Sequence, residues 1–215
     1  QQIIYLGVIN PQDRVDLAVL AAERLAELRG RDGWELVVAG DGECLDDLRQ
    51  LVDERGLQDI VRFTGWLDAA QVDSVLAAAS IAIQPDPPTD MAHLSTMAKT
   101  IEYLARGLPV VAVDLIETRR SAEDAAVYVP NGTPDEFAKA LDGLLGDASA
   151  RARMREIGLE RFSTVLAWEH QAAAYITTWQ SLVPVPPGLT DTVELPRQRV
   201  RQKSDAKSGR HQVKS

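Results

Sequence analysis

Cysteine, aromatic residues and long apolar runs are scarce or missing in this 215-residue chain. Its single cysteine, Cys44, excludes an internal disulfide bond, which suits a reducing compartment. Aromatic residues make up only 5% of the sequence, so the core must be built mainly from Val, Leu, Ile and Ala. No apolar run approaches the roughly 20 residues of a membrane-spanning helix. We therefore expect a cytoplasmic protein without a transmembrane segment.

Residues that commonly bind metal ions or act as nucleophiles are also sparse. The three histidines, His93, His170 and His211, are far apart in sequence, and no pair has the spacing of metal ligands. No serine lies in the strand–turn–helix context of a nucleophile elbow. We therefore predict neither a metal site nor a cofactor. For His93, which lies in a loop, a role in a pocket and a purely structural role both stay open.

Acidic residues outnumber basic ones, and the formal charge is -9. The imbalance is uneven, because residues 184–215 contain seven Lys or Arg and three Asp or Glu, a net of +4, which leaves -13 for residues 1–183. An acidic body argues against nucleic-acid binding. The Pro-rich and then Lys/Arg-rich composition of residues 184–215 predicts a disordered basic tail, which either stays solvated or contacts an anionic membrane surface.

Hydrophobic patterning divides residues 1–183, the predicted domain, into alternating strands and helices. Short apolar segments predict strands at 3–7, 34–39, 60–64, 81–83, 110–113 and 125–129. Amphipathic segments between them predict helices, and three more helices follow at 135–145, 148–162 and 166–182. This alternation predicts an α/β fold: a Rossmann-like parallel sheet with helices on both faces. Because Gln1 leads directly into a strand, we expect no secretory signal and expect residues 1–183 to belong to a longer architecture.

A loop, a helix, a glycine and a buried strand follow one another between residues 95 and 114. Ser95 and Thr96 are predicted N-caps of the helix. Gly107 stands where the helix would end in a left-handed turn, and the β-branched run that follows suits a strand covered on both faces. The helix is therefore expected to begin at the carboxyl edge of the sheet, where ligands of such folds bind.

Lys99 and Glu102 lie three residues apart near the N-terminus of this helix. Free N–H groups and the helix dipole favour a phosphate there. A cation for phosphate and a carboxylate for sugar hydroxyls would suit a nucleotide sugar. The alternative from spacing alone is an exposed Lys–Glu pair on the surface of the helix.

A second motif, Gly40-Asp41-Gly42, follows a strand and so looks like the start of a dinucleotide-binding fingerprint. The third glycine of that fingerprint is absent, because position 45 is Leu45. The motif also follows the second strand rather than the first. We therefore predict that it does not bind NAD.

Several segments together resemble a known family. They are YLGVINPQDRVDLAVLAAERL, LVVAGDGECLDDLRQLVDERGLQDIVRFTGWLD, STMAKTIEYLARGLPVVAVDLIETR, SAEDAAVYVPNGTPDEFAKAL, and RARMREIGLERF followed by AWEH. The chain resembles the C-terminal, donor-binding half of a GT-B glycosyltransferase, in the retaining glycosyltransferase family 4, also called glycosyl transferases group 1. The most specific piece is Lys99-x-x-Glu102-Tyr103 running into Gly107-x-Pro109-Val110-Val111.

The resemblance implies how the two phosphates of a donor would be held. Lys99 and the backbone N–H groups of Thr96, Met97 and Ala98 would bind the diphosphate. Gly7 would let the first loop approach the phosphates closely. These contacts would supply fixed positive charge where negative charge develops as the sugar leaves its nucleotide.

The nucleoside contacts are also implied by the resemblance. Glu102 would accept hydrogen bonds from the ribose hydroxyls, and the backbone around Trp66 and Leu67 would meet the base. Lys99 and Glu102 are accordingly the predicted catalytic residues.

The reaction implied is transfer of a sugar from a nucleotide-diphosphate sugar, with retention, to a glycan or lipid-linked acceptor, as in polysaccharide biosynthesis. The implied partners are an N-terminal acceptor domain or a second copy of the chain, with contact to the inner membrane face as a further option. Trp168, Tyr175 and Trp179 on the last helix would pack on such a partner. Two alternatives stay open: a non-catalytic, truncated or degenerate nucleotide-binding or partner module, and a nucleotide-sugar epimerase.

This chain departs from the family pattern at several positions. Leu94 stands where many members have glutamate, and Val8 and Asp13 stand in a loop where many have Arg and Lys. In the most similar subgroup the first loop reads Gly-Pro-Gln-Asp-Gly, and here Asn10 and Arg14 replace both glycines. Because a side chain disfavours positive φ and close phosphate approach, we expect weakened donor binding.

Overall fold

The structure, a computed structural model, describes residues 1–182; the predicted disordered tail lies outside the described residues. Within this range the six predicted strands are all present. They are β1 (Gln2–Leu6), β2 (Glu35–Ala39), β3 (Val61–Gly65), β4 (Ile81–Gln84), β5 (Val110–Val113) and β6 (Ala126–Val129). All neighbouring pairs of named strands are parallel, in the order β3-β2-β1-β4-β5-β6, so the predicted Rossmann-like sheet is confirmed.

Helices follow the strands at the expected places, with one addition: the segment with His93, predicted to be a loop, contains the four-residue helix Asp90–His93. They are α1 (Val15–Arg29), α2 (Leu45–Glu54), α3 (Ala69–Ala78), α4 (Asp90–His93), α5 (Ala98–Ala105), α6 (Ile116–Ala122), α7 (Pro134–Gly146), α8 (Ala148–Arg161) and α9 (Trp168–Leu182). Two capping boxes fix helix starts, at Asp68 before α3 and at Thr133 before α7. None of the helices in residues 1–182 is long and apolar enough to cross a membrane.

Two apolar clusters cover the two faces of the sheet, because neighbouring strand residues point to opposite sides. Ile3 and Tyr5 of β1 belong to one cluster, which also contains buried residues of α1, α2 and α7. Ile4 belongs to the other cluster, with Tyr103 and Leu104 of α5. Strand β1 is thus buried on both sides at the centre of the sheet, as its continuous apolar run indicates.

The strand order reverses direction between β1 and β4, which lie side by side although two strands separate them in sequence. In doubly wound sheets the loops that leave two such strands diverge and open a crevice at the carboxyl edge. Here those loops are 7–14 after β1 and 85–89 after β4. Helix α5 begins at the same edge, so the topology brings all three segments together.

The predicted N-caps of α5 were wrong. The helix begins at Ala98 with Met97 as its N-cap residue, and no side chain caps it. The Ser95 hydroxyl instead donates to the Met91 carbonyl (2.6 Å), and the Thr96 hydroxyl donates to the Glu117 carboxylate (3.1 Å). Thr96 therefore joins the segment before α5 to α6. Gly107 has a φ of +66°, as the predicted left-handed helix end requires.

Residues 1–174 form one compact unit, and the described residues from 175 to 182 belong to a second. The first contains the whole sheet and Trp168, whose exposed fraction is 64%. The described part of the second is the end of α9, where the rings of Tyr175 and Trp179 meet edge to face with centroids 6.2 Å apart. Both side chains are exposed, so whether they pack on a partner stays a prediction.

Candidate functional site

Lys99 lies at the point where the strand order reverses. Its ammonium Nζ donates to Asp86 (3.0 Å) from the loop after β4 and to Asp13 (3.2 Å) from the loop after β1. It also lies 3.4 Å from the Tyr5 hydroxyl and 4.9 Å from the centre of that ring. We call Tyr5, Asp13, Asp86 and Lys99 the lysine cluster. The partners of Lys99 within residues 1–182 do not include Glu102, so the alternative of a surface Lys–Glu pair was wrong.

The lysine cluster is well shielded from water. The side chain of Lys99 is 11% exposed and that of Asp86 only 6%. Tyr5 is buried beneath them, and its hydroxyl donates to the Val8 carbonyl at 2.8 Å, which fixes the ring in place. Two carboxylates face one ammonium, so the ionised cluster carries a net charge of about -1.

Burial raises the pKa of the Asp86 carboxyl above its ordinary value of 3.8, and it outweighs the opposing effect of Lys99. Folded Asp86 therefore keeps its proton to a higher pH than unfolded Asp86. Its contribution to stability is present below pH 3.8 and is lost as the pH rises through the raised pKa.

We expect Asp86→Asn to gain stability relative to the wild type as the pH rises through this window, because asparagine does not titrate. Urea denaturation of both proteins between about pH 4 and about pH 7 measures the difference in unfolding free energy. A difference that stays constant or shrinks with rising pH would contradict the assignment.

Gly7 and the Gly40-Asp41-Gly42 motif form one packed unit beside the lysine cluster. The Gly7 N–H donates to the Ala39 carbonyl (3.0 Å), and the Ile9 N–H donates to the Asp41 carbonyl (3.0 Å). A Cβ on Gly40 would lie 1.8 Å from the Gly7 oxygen, and one on Gly42 would lie 2.4 Å from the Ile9 oxygen. The motif therefore has a structural role, since only glycine lets the two loops approach so closely.

Arg14 shows how the first loop tolerates the loss of a glycine. Its φ is +49° and its ψ is +41°, so it adopts the left-handed conformation despite its side chain. Its guanidinium donates to Asp16 (2.9 Å). A side chain at this position therefore does not prevent positive φ, although the conformation remains unfavourable for a residue other than glycine.

Glu102 lies in a cavity of about 540 Å³ between α3 and α5, which we call the Glu102 cavity. Its lining is mostly apolar and consists of Leu6, Leu67, Ala69, Val72, Asp73, Leu76, Glu102, Ala105 and Arg106. Glu102 as a whole is exposed, but partial burial against this lining raises the pKa of its carboxyl, while Arg106 opposes the shift. Arg106 is held by an ion pair with Asp73 across the cavity from α5 to α3.

The structure groups the predicted site residues in two neighbouring places. Lys99 contacts the Gly7 loop: its Cε is 3.6 Å from where a Cβ of Gly7 would lie. Leu67 and Glu102 line the Glu102 cavity together, and Trp66, which precedes Leu67, is 74% exposed. Met97 and Ala98 form the start of α5, where the first turn has backbone N–H groups without partners inside the helix.

Sequence reasoning missed Tyr5 and Asp86 as partners of Lys99. In the sequence, Tyr5 is one residue of a strand and Asp86 is one acid of a proline-rich loop. Neither belongs to a short motif that would identify it. Leu94, at the position where many family members have glutamate, is 79% exposed. The His93 ring accepts a hydrogen bond from the Ile116 N–H at 3.4 Å, which favours the structural role for this residue.

Comparisons with known proteins agree with this architecture. The model of the family described as glycosyl transferases group 1 matches residues 1–147. Alpha-D-kanosaminyltransferase from Streptomyces kanamyceticus is 30% identical over 156 residues, which cover 72% of this chain but only 39% of that enzyme. The chain thus spans well under half of the length of this relative.

Two solved structures share the fold. The C-terminal domain of a glycosyl transferase group 1 family protein (LpcC) from Francisella tularensis has a TM-score of 0.66 at 21% identity, covering 77% of this chain and 85% of that one. Anabaena Alr3699/HepE in complex with UDP has a TM-score of 0.70 at 16% identity, covering 83% of this chain and 48% of that one. The predicted resemblance to one half of a GT-B architecture is confirmed: this chain belongs to the glycosyl transferases group 1 family.

Proposed function

We propose that residues 1–183 form the donor-binding domain of a retaining glycosyltransferase, which transfers a sugar from a nucleotide-diphosphate sugar to a glycan or lipid-linked acceptor. The observation that carries the proposal is the position of Lys99. It places an ammonium at the start of α5, against the Gly7 loop and at the reversal of the strand order. Such crevices bind phosphates of nucleotides in doubly wound folds.

The arrangement supports separate contacts for each part of a donor. The diphosphate would lie between Lys99 and the first N–H groups of α5, and the ribose hydroxyls would donate to Glu102 in the Glu102 cavity. The base would contact the backbone of Trp66 and Leu67. The UDP bound to the Anabaena protein of the same fold supports a nucleoside diphosphate as the ligand class.

The chemical role of these groups follows from the charge that develops. When the bond between the anomeric carbon and the phosphate oxygen breaks, negative charge moves onto the departing nucleoside diphosphate. Lys99 and the N-terminus of α5 would stabilise that charge without having to reorganise, which is where such fixed groups act most strongly. Glu102 would keep the nucleoside correctly positioned while the bond breaks.

We further propose that an N-terminal domain holds the acceptor and closes the cleft, because binding the transition state requires groups on both sides of the transferred sugar. The matched region of relatives such as the kanosaminyltransferase is less than half of their length, which leaves room for such a domain. We also propose a cytoplasmic location, at the inner membrane face when the acceptor is lipid-linked.

Calorimetric titration of UDP and GDP tests the donor site. For the diphosphate that binds the wild type, we expect Lys99→Ala and Glu102→Ala each to weaken binding by at least about tenfold, a loss of about 1.4 kcal/mol. Lys139→Ala is the matched control, because Lys139 is an exposed lysine on α7 outside the site. Unchanged affinity in both site variants, or no binding by any protein, would overturn the proposal.

A second candidate is a non-catalytic nucleotide-binding module. It is favoured by the two carboxylates on Lys99 and by the absence of a carboxylate at Leu94. Release of sugar from a labelled donor, measured with and without a separately supplied N-terminal domain from a related enzyme, distinguishes the two. Turnover that depends on Lys99 identifies a transferase, and binding without turnover under both conditions identifies the module.

A further inference from the structure

The ammonium of Lys99 has no free hydrogen-bond donor. An ammonium group has three N–H donors, and those of Lys99 are directed to three acceptors: Asp86, Asp13 and the Tyr5 hydroxyl. The side chain is also almost wholly buried. A phosphate that approaches Lys99 must therefore replace one of these acceptors. The next question is therefore which of the three acceptors a phosphate replaces when it binds to Lys99.

Two of the three acceptors are held in place by the fold. Tyr5 is a core residue of β1, and its own hydroxyl proton is committed to the Val8 carbonyl. Asp86 is buried and contacts Lys99 with both carboxylate oxygens, at 3.0 and 3.3 Å. Moving either would open a buried cluster and leave a polar group without a partner, which is costly.

Asp13 is placed differently. It lies on a single turn of 3-10 helix, Pro11–Asp13, in the loop after β1, and no residue of that turn is buried. Its side chain is more exposed than that of Asp86, 17% against 6%. It contacts Lys99 with one oxygen, at 3.2 Å, whereas Asp86 uses both of its oxygens.

We propose that Asp13 is a displaceable internal competitor of the donor diphosphate for Lys99. In the free protein its carboxylate occupies the phosphate position on the ammonium, and the donor binds by replacing it. The inference rests on the proposed function, because it assumes that Lys99 meets the diphosphate. Asp13 thereby lowers the affinity of the site for diphosphates. Only a ligand that makes further contacts in the site then binds tightly enough to displace it.

Charge supports the same role. With Asp13 and Asp86 ionised, a diphosphate meets a cluster of net charge about -1, which opposes binding. Replacing Asp13 by asparagine preserves the size of the side chain and makes the cluster neutral. It also exchanges an ion pair with Lys99 for a weaker hydrogen bond from the ammonium to an uncharged oxygen. Both changes favour binding of the phosphate to Lys99.

The test is calorimetric titration of the full chain with inorganic pyrophosphate, UDP and GDP, each at low and at moderate salt. We expect Asp13→Asn to bind UDP or GDP at least about fivefold more tightly than the wild type, with pyrophosphate following the same order. Asp59→Asn is the matched control, because it makes the same change in net charge at a surface pair with Arg31. It should stay within about twofold of the wild type.

The double variant Asp13→Asn with Lys99→Ala separates competition at Lys99 from a general charge effect. We expect it to bind no more tightly than Lys99→Ala. A gain in Asp13→Asn no larger than that in Asp59→Asn, or a gain that persists without Lys99, would overturn the inference.

The outcomes also separate this inference from the proposed function. If Lys99→Ala weakens binding and Asp13→Asn does not strengthen it, the donor site stands and the competition is wrong. If Lys99→Ala binds as the wild type does, or if no variant binds any of the three ligands, the donor site itself is wrong. Thermal unfolding of each variant confirms that the compared proteins are folded.

Discussion

Replacing Gly40 by alanine is expected to lower the free energy of unfolding by about 3 kcal/mol or more. A Cβ at this position would lie 1.8 Å from the backbone oxygen of Gly7, and the φ of +144° is unfavourable for any residue with a side chain. Relief requires movement of one loop. The Gly7–Ala39 and Ile9–Asp41 hydrogen bonds and the β1–β2 register oppose that movement.

Gly143→Ala is the matched control for this prediction. Gly143 lies inside α7, is exposed, and has no atom within 4 Å of an added Cβ. The same substitution there should raise stability by up to about 1 kcal/mol, because alanine is the better helix former. Urea denaturation of both variants gives the two free energies. A Gly40→Ala protein as stable as the wild type would show that the loops do not pack as described.

Gly40→Ala is also expected to affect ligand binding at the proposed donor site. The loop that must move carries Gly7 at its start and Asp13 near its end, and both contact Lys99. A folded fraction of this variant should therefore bind nucleoside diphosphate more weakly than Gly143→Ala does. We therefore expect the Gly40-Asp41-Gly42 motif to affect binding through the packing of the first loop.

Local patterns were sufficient to predict most of the fold. Apolar runs predicted all six strands of the sheet, including β3 at its edge. The starts of α3 and α7 are likewise encoded locally, because Asp68 and Thr133 cap them through the backbone of the next few residues. These features depend on residues within a few positions of each other, so they can be predicted from a single sequence.

The environment of Lys99 could not be predicted in the same way. Its partners Tyr5, Asp13 and Asp86 come from two other segments, up to 94 residues away, and meet it only because β1 and β4 are adjacent. The caps of α5 were wrong for a related reason: Thr96 makes a tertiary contact with Glu117 in place of a local one. The family resemblance identified Lys99 and Glu102 as candidates, while their different surroundings follow from the three-dimensional arrangement.

The second large effect on stability is expected at a buried polar trio, Gln84, Thr100 and Thr118, at the same sheet edge. The Gln84 amide donates to the Thr118 hydroxyl at 2.9 Å and accepts from the Thr100 hydroxyl, and all three residues are at most 1% exposed. Gln84 ends β4, Thr100 follows Lys99 on α5, and Thr118 lies on α6. The trio therefore joins the strand before the Asp86 loop to the two helices that flank the site.

We expect Gln84→Leu to lower the free energy of unfolding by about 3 kcal/mol, because it leaves two buried hydroxyl groups without their partner. The triple variant Gln84→Leu, Thr100→Val, Thr118→Val should recover at least about half of that loss, since it removes all three polar groups together. Urea denaturation measures both. If the triple variant were no more stable than Gln84→Leu, the loss would come from packing of the glutamine. Recovery of stability without recovery of UDP or GDP binding would show that these hydrogen bonds also position α5 and Lys99 for the donor.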